Sequence, residues 1–182
     1  IPSGATDIGN YAFRGTKWLK KRRAENPLVI VNHILIDGQT SSGNIIIPDG
    51  VTEISGGAFE ECSALTGIQL PKSVKNIRYA AFKGCRNLTG ITVPESVTSI
   101  DDGAFSECGK LTIFGKEGSY AQTFAKQAEI PFSILGGVQG DNINPSCSHT
   151  WNTATTKATT AQNGSITKTC TKCGQKIAET IY

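Results

Sequence analysis

The residues best suited to hold a metal lie in the last fifth of the chain. Cys147 and His149, then Cys170 and Cys173, form a C-x-H pair and a C-x-x-C pair separated by twenty residues. Three thiolates and one imidazole match the donor set of a tetrahedral zinc, and four protein ligands leave no open position for a catalytic water. The metal is therefore expected to be structural. Residues 147–182 are too few to build a core of their own, so an ion whose binding energy is folding energy would staple them. Gly174 suits the tight turn after the second pair. The first pair has one intervening residue where zinc motifs commonly have two to four, and an extracellular setting favours disulfides. A Cys170–Cys173 or Cys147–Cys170 bridge, with His149 idle, stands as the alternative.

No other residues assemble into an acid, base or nucleophile. His33 sits at the centre of VIVNHILIDG, where a satisfied or solvated turn residue is expected. No Ser or Cys falls in a nucleophile-elbow context. Cys62, Cys85 and Cys108 recur at one fixed position beside an apolar aromatic, as small core side chains do. The acidic pairs Glu60-Glu61 and Asp101-Asp102 fall in variable turn positions and are expected to be exposed. The catalytic set is empty, and the chain is not expected to be an enzyme.

Composition supports this. Hydrophobic residues make up 38% of the 182 residues and charged residues 18%, with 20 Gly, which fits a turn-rich globular chain. A net charge of +3 is too small to argue for nucleic acid. Much of it comes from Lys17, Lys20, Lys21, Arg22 and Arg23, expected to be the solvated face of a short helix. No apolar run is long enough to span a bilayer, and the start has no signal-peptide pattern. With no Met in the chain, the native start is expected to lie elsewhere.

A fixed period organises these residues. Phe59, Phe82 and Phe105 are 23 residues apart, as are Cys62, Cys85 and Cys108, Leu65, Leu88 and Leu111, Pro48, Pro71 and Pro94, and Ile54, Ile77 and Ile100. In IQLPKSVKNIRYAAFKGCRNLTG, alternation turns Ile68 and Leu70 inward and Gln69 outward, and Pro71 ends the strand. Val74 and Ile77 supply a second extended segment, and A-F-x-x-C a helical turn that buries Phe82 and Cys85. One such unit cannot bury its apolar side alone, so units must stack, with strands in a parallel sheet and Phe, Cys and Leu columns inside.

The period extends towards the start. Ile8 and Phe13 stand 46 residues before Ile54 and Phe59, so residues 1–13 read as another copy. Between the copies, LVIVNHILIDG reads as a hairpin or two strands around Asn32 and His33, with a turn at Asp37-Gly38, in a variant repeat. Ile1-Pro2 aligns with Ile47-Pro48, from which upstream repeats are expected. After the last unit, Ser119 can cap a helix near 118–129 with Tyr120, Phe124 and Ala128 on one stripe, stopped by Pro131. This is the expected lid on the end of the stack.

The pattern V-T-E-I-x-x-x-A-F-x-x-C-x-x-L-T-x-I-x-x-P closely resembles the BspA-like, Treponema-type leucine-rich repeat, as do the variant unit and the closing GSYAQTFAKQAEIPF. The resemblance covers residues 1–135. It implies an α+β repeat solenoid, a right-handed leucine-rich-repeat stack with a parallel sheet. It also implies a surface-exposed or secreted bacterial protein that adheres to host or cell-surface proteins or glycans without catalysis. Residues 136–146, GGVQGDNINPS, read as a linker. Residues 147–182 resemble a small β-rich, zinc-ribbon-like appendage at the ends of surface proteins of gut Firmicutes. A binding face should come from the outward strand positions Ile46, Gln69 and Thr92, with Thr66 and Thr89 nearby, and Ile46 stands out as an apolar residue facing outward. The basic cluster with Trp18 is a rival for anionic glycans, although Trp18 is better placed to pack on the solenoid. A spacer, or a targeting appendage of a larger secreted enzyme, is the alternative to an adhesion module.

Overall fold

Each 23-residue unit forms one turn of a solenoid with two parallel sheets in the computed structural model. It describes residue 5, residues 7–134, and the backbone of 151–156, 164–170 and 176–181. The elements in chain order are α1 (Lys17–Glu25), β1 (Val29–Val31), β2 (Ile34–Asp37), β3 (Gly43–Ile46), β4 (Glu53–Ile54), β5 (Leu65–Gln69), β6 (Asn76–Ile77), β7 (Gly90–Thr92), β8 (Ser99–Ile100), β9 (Thr112–Gly115), α2 (Tyr120–Gln127), β10 (Phe132–Ile134), β11 (Trp151–Thr156), β12 (Gly164–Cys170) and β13 (Lys176–Ile181). The chain divides into two compact units, Ile1–Ile134 and Leu135–Tyr182. In the second, β11, β12 and β13 form an antiparallel sheet in that order. The expected linker, 136–146, lies outside the described residues.

The first unit has one more layer than the single expected sheet. The L-x-x-I-x-I-P segments pair in the order β10-β9-β7-β5-β3, and the short V-x-x-I segments pair as well, in the order β1-β2-β4-β6-β8. The second sheet follows from the period: once Ile54, Ile77 and Ile100 stack in register, their backbones lie within pairing distance. Ile68, Leu70, Ile91 and Ile113 from one sheet, and Ile54, Ile77 and Ile100 from the other, are buried in a single core.

Between the sheets the A-F-x-x-C turns carry the aromatic column. Phe59 and Phe82 stack with centroids 5.1 Å apart and rings 7° from parallel; Phe82 and Phe105 repeat this at 5.2 Å and 6°. Such pairs add roughly 0.5–1.5 kcal/mol each to the burial term. At one end Phe124 of α2 meets Phe105 edge-on, with centroids 5.9 Å apart. At the other end the column stops at a glycine. Gly38 N–H donates to Ala58 O at 2.7 Å, as Phe59 N–H does to Ala81 O, so Gly38 holds the backbone place of the missing phenylalanine. The Phe59 ring covers it.

Each turn also uses two left-handed backbone positions. Gly57, Ala80 and Gly103 share one at φ of 70, 55 and 77°, and Glu61, Gly84 and Glu107 the other at 58, 72 and 62°. The cost at non-glycine residues is about 1–2 kcal/mol each. The stack offsets it through carbonyls and N–H groups aimed at the neighbouring turns.

Several sequence expectations need revision. The turn of residues 9–15 does repeat, with Tyr11 and Gly15 left-handed like Gly57 and Glu61. Phe13 nevertheless stays out of the column and packs on Trp18, with centroids 4.7 Å apart. The hairpin is as expected: β1 and β2 pair antiparallel through a two-residue turn with Asn32 and His33 at φ of 46 and 69°. The basic helix is not wholly solvated. Arg23 forms a bidentate pair with the 3%-exposed Asp37 and also donates to Gln39 Oε1 at 2.6 Å, which pins α1 to the variant repeat. Helix α2 buries Ala121, Phe124 and Ala125 rather than the stripe of Tyr120, Phe124 and Ala128. Its rotation is set by Phe124 reaching Phe105, and Tyr120 is left exposed. Strand β10 was not expected; it extends the sheet of β3, β5, β7 and β9 beyond β9.

A methyl group built on Gly38 would lie 2.1 Å from Phe59 Cε1. Phe59 cannot retreat, since Phe82 is stacked on its far side. Gly38→Ala is expected to cost about 2–3 kcal/mol by overpacking and to lower the melting temperature by roughly 5–10 °C, measured by circular dichroism.

Candidate functional site

The sheet β10-β9-β7-β5-β3 presents a face built from two rows of outward side chains. Its register aligns Ile46, Gln69, Thr92 and Phe114 in one row and pairs Asn44 with Gly67, Gly67 with Gly90, and Gly90 with Thr112 in the other. Alternation along the strands makes this inevitable: Ile68, Ile91 and Ile113 between the rows are buried. The successive glycines leave a trough in the second row. The Asn44 side chain leans across Gly67, where an added Cβ would come within 2.4 Å of Asn44 Oδ1. The Phe114 ring leans across Gly90, with Cε2 3.0 Å from such a Cβ. Between these two side chains lies an open groove of about 380 Å³ whose lining carries no charged residue.

Three of the five sequence-derived binding residues, Ile46, Gln69 and Thr92, line this groove. Ile46 is 71% exposed, the most exposed large apolar side chain among the described residues. Thr66 and Thr89 are exposed but commit their hydroxyls within the sheet. Thr66 Oγ1 donates to Asn44 Oδ1 at 3.1 Å, and Thr89 Oγ1 to Thr66 O at 2.9 Å. Sequence reasoning missed Asn44, Phe114 and the two glycines. A signal was available, because Gly67 and Gly90 are 23 residues apart in a strand position where glycine is otherwise unfavourable.

The cysteine column lies inside. Cys85 Sγ donates to Phe59 O and Cys108 Sγ to Phe82 O, both at 3.0 Å, and Cys62 Sγ to Ser41 O at 3.2 Å. The position therefore suits a small side chain that adds a hydrogen bond to a carbonyl one turn back, at Phe59 O and Phe82 O beside the backbone N–H bonds those oxygens already accept. All three are free thiols. Burial pushes the Cys62 thiol up, and the neighbouring Cys108 thiol together with burial pushes Cys85 up. Neither has the thiolate character of a nucleophile.

The remaining candidates are bound up in structure. His33 Nδ1 lies 2.9 Å from Gly50 O, and His33 O accepts from Thr52 N at 2.8 Å. Glu60 pairs with Arg14 at 2.8 Å, and Asp101 Oδ2 accepts from Tyr79 N at 3.0 Å. Lys17, Lys20, Lys21 and Arg22 are exposed on α1, with Arg22 over the half-buried Trp18 ring at 5.7 Å. Cys147, His149 and Cys173 lie outside the described residues, and Cys170 is described only by its backbone at the end of β12. Among the described residues no group of three His, Cys, Asp or Glu could hold a metal, and no helix is long and apolar enough to cross a membrane.

Comparison with known proteins comes down to the repeat. The family model for the BspA type leucine rich repeat region matches residues 1–112 in six copies. No curated protein matches the chain. Among solved structures, a leucine rich cell surface protein from Faecalibacterium prausnitzii A2-165 is 26% identical with a TM-score of 0.26, over 50% of this chain and 37% of that one. A leucine rich repeat protein of T. pallidum is 22% identical with a TM-score of 0.29, over 44% of this chain and 62% of that one. The chain spans less than two thirds of either.

The thiol environment has a measurable consequence. In the native chain at pH 8, Cys62 and Cys85 are expected to resist iodoacetamide and to react fully once guanidinium unfolds the protein, as read by mass spectrometry of peptides. Their folded-state values lie above the unfolded value of about 8.5, so unfolded chains lose protons first. Their contribution to stability is complete below that pH and declines above it.

Proposed function

The chain belongs to the BspA type leucine-rich repeat family, and from that premise we propose that it is a non-catalytic binding module of a bacterial surface or secreted protein. The uncharged groove between Asn44 and Phe114 would be its contact face. The observation that carries this reading is the coincidence of an exposed Ile46, a half-buried Phe114 ring and a glycine trough on the continuous sheet. Ile46, 71% exposed, adds an apolar contact point at the edge of the trough. A groove without charge selects a neutral partner surface, whether host or cell-surface protein or glycan. Extracellular display agrees with that role, and the family resemblance supports it.

The groove reading is tested by the triple substitution Ile46→Lys, Gln69→Ala and Thr92→Lys, all at solvent-facing positions. On glycan arrays and immobilised matrix proteins, any ligand captured by the parent chain is expected to bind at least tenfold more weakly to the variant. Unchanged capture would move the site off this face.

For the C-terminal unit we propose a structural zinc held by Cys147, His149, Cys170 and Cys173, on the strength of donor type and spacing. Native mass spectrometry is expected to show one zinc that a chelator removes. A chain without metal and two protons lighter would mean a disulfide instead.

A further inference from the structure

The three cysteines of the repeat are not equally covered. Cys62 and Cys85 are each followed by a further A-F-x-x-C turn, whereas Cys108 belongs to the last such turn among the described residues. Cys108 is accordingly 9% exposed against 2% for Cys62 and 0% for Cys85. Its neighbours Ser106, Glu107, Gly109 and Lys110 are exposed as well. It lines an open groove of about 480 Å³ between its own turn and the segment 128–131 that follows α2.

One repeat further in, Cys85 stands at the distance of a paired strand. The two turns are joined by Phe82 N–H to Ala104 O and Gly84 N–H to Ser106 O, both at 2.8 Å, and by the Phe82 and Phe105 rings. Backbones so paired lie about 5 Å apart, inside the range of about 4.4–6.8 Å between Cα atoms that a disulfide spans. Cys108 Sγ points back along the stack to Phe82 O, and the two thiols are hydrogen-bond neighbours. The Cys85 thiol, by bonding to the Cys108 sulfur, holds the more exposed Cys108 below an ordinary thiol, while Cys85 is pushed up. That order is the one an attacking and a resolving thiol require. Oxidation would leave no carbonyl orphaned, because Phe59 O and Phe82 O also accept from the backbone N–H groups of Cys62 and Cys85, at 3.0 and 3.1 Å.

We propose that Cys108 and Cys85 form a thiol–disulfide exchange site for a small organic disulfide, which enters through the groove and leaves the two cysteines bonded to each other. The Cys108 thiolate attacks one sulfur of the disulfide, forming a mixed disulfide and releasing the first small thiolate. Cys85 then attacks Cys108 Sγ and displaces the second. The two thiol protons of the protein pass to the two released thiolates, so the chain gives up two electrons and two protons and the small disulfide becomes two thiols. The bond ties the last turn to the one before it, at the end of the column where α2 rather than another repeat covers the core.

The test uses the full native chain, first reduced by a small thiol, with an excess of 2-hydroxyethyl disulfide at pH 8. After acid quenching, mass spectrometry of unreduced peptides follows each cysteine separately. A Cys85–Cys108 link, two protons lighter than the two thiol peptides, is expected. Cys62 is expected to react about tenfold more slowly than Cys108 in the native chain and fully in guanidinium. Cys85→Ser is expected to stop at one mixed disulfide on Cys108, and Cys108→Ser to leave Cys85 a thiol. The parent decides the matter by itself, so a variant that fails to fold leaves the test intact. Three outcomes overturn the proposal: Cys108 reacting as slowly as Cys62, a mixed disulfide on Cys108 that never passes to Cys85, or a Cys62–Cys85 link in its place.

Discussion

The solenoid depends on the stacking of three phenylalanine rings at one position of successive turns. A 23-residue unit has too little apolar surface to stand alone, and its interior becomes dry only when the next unit covers it. Phe59, Phe82 and Phe105, at centroid spacings of 5.1 and 5.2 Å, carry that covering from turn to turn. The spacing is close to the separation of paired strands, so ring stacking and sheet pairing reinforce one another rather than compete. The column needs an end at which no ring is required, supplied by Gly38, and an end at which an unrelated ring closes it, supplied by Phe124.

Around this column each turn satisfies its own polar groups through its neighbours. Cys85 and Cys108 donate to phenylalanine carbonyls one turn back, and the left-handed Gly57, Glu61 and Gly84 aim N–H groups one turn forward. Registration of the polar backbone thus depends on the same translation that stacks the rings, which makes the stack cooperative along its length. It also explains why the terminal pieces look different from the repeats. The variant unit replaces its aromatic turn with a hairpin and with a helix anchored by the Arg23–Asp37 pair, so its place in the stack is held by an ion pair where the others use stacked rings.

The repeat, the inward residues and the outward row of Ile46, Gln69 and Thr92 were legible in the sequence, since period and alternation determine them without knowledge of the fold. Other features depend on distances that spacing does not reveal. Helix α2 has several apolar residues, and only the position of Phe105 decides that Phe124, with Ala121 and Ala125, turns inward. Phe13 carries the repeat's residue type but lies beside Trp18, so it leaves the column although its backbone keeps the turn. Arg23 belongs to a basic run, yet the buried Asp37 fourteen residues away takes it out of the solvated face. Asn44 and Phe114 matter to the groove only because they lean over glycines on adjacent strands.

The groove itself is a by-product of regularity with two exceptions. A sheet of identical repeats would present flat rows; glycine at 67 and 90 hollows one row, and Asn44 and Phe114 close its ends. Relief on a solenoid therefore comes from which residues are removed from a row as much as from which are added. A small residue in an outward strand position weakens the strand, whose stability here is secured by the buried Ile68 and Ile91 behind it. Each core position faces its own copies and stays apolar, varying only in size as at Ile47, Leu70 and Val93, whereas the outward row runs Ile46, Gln69, Thr92 and Phe114. That division lets one repeating core carry a surface that does not repeat.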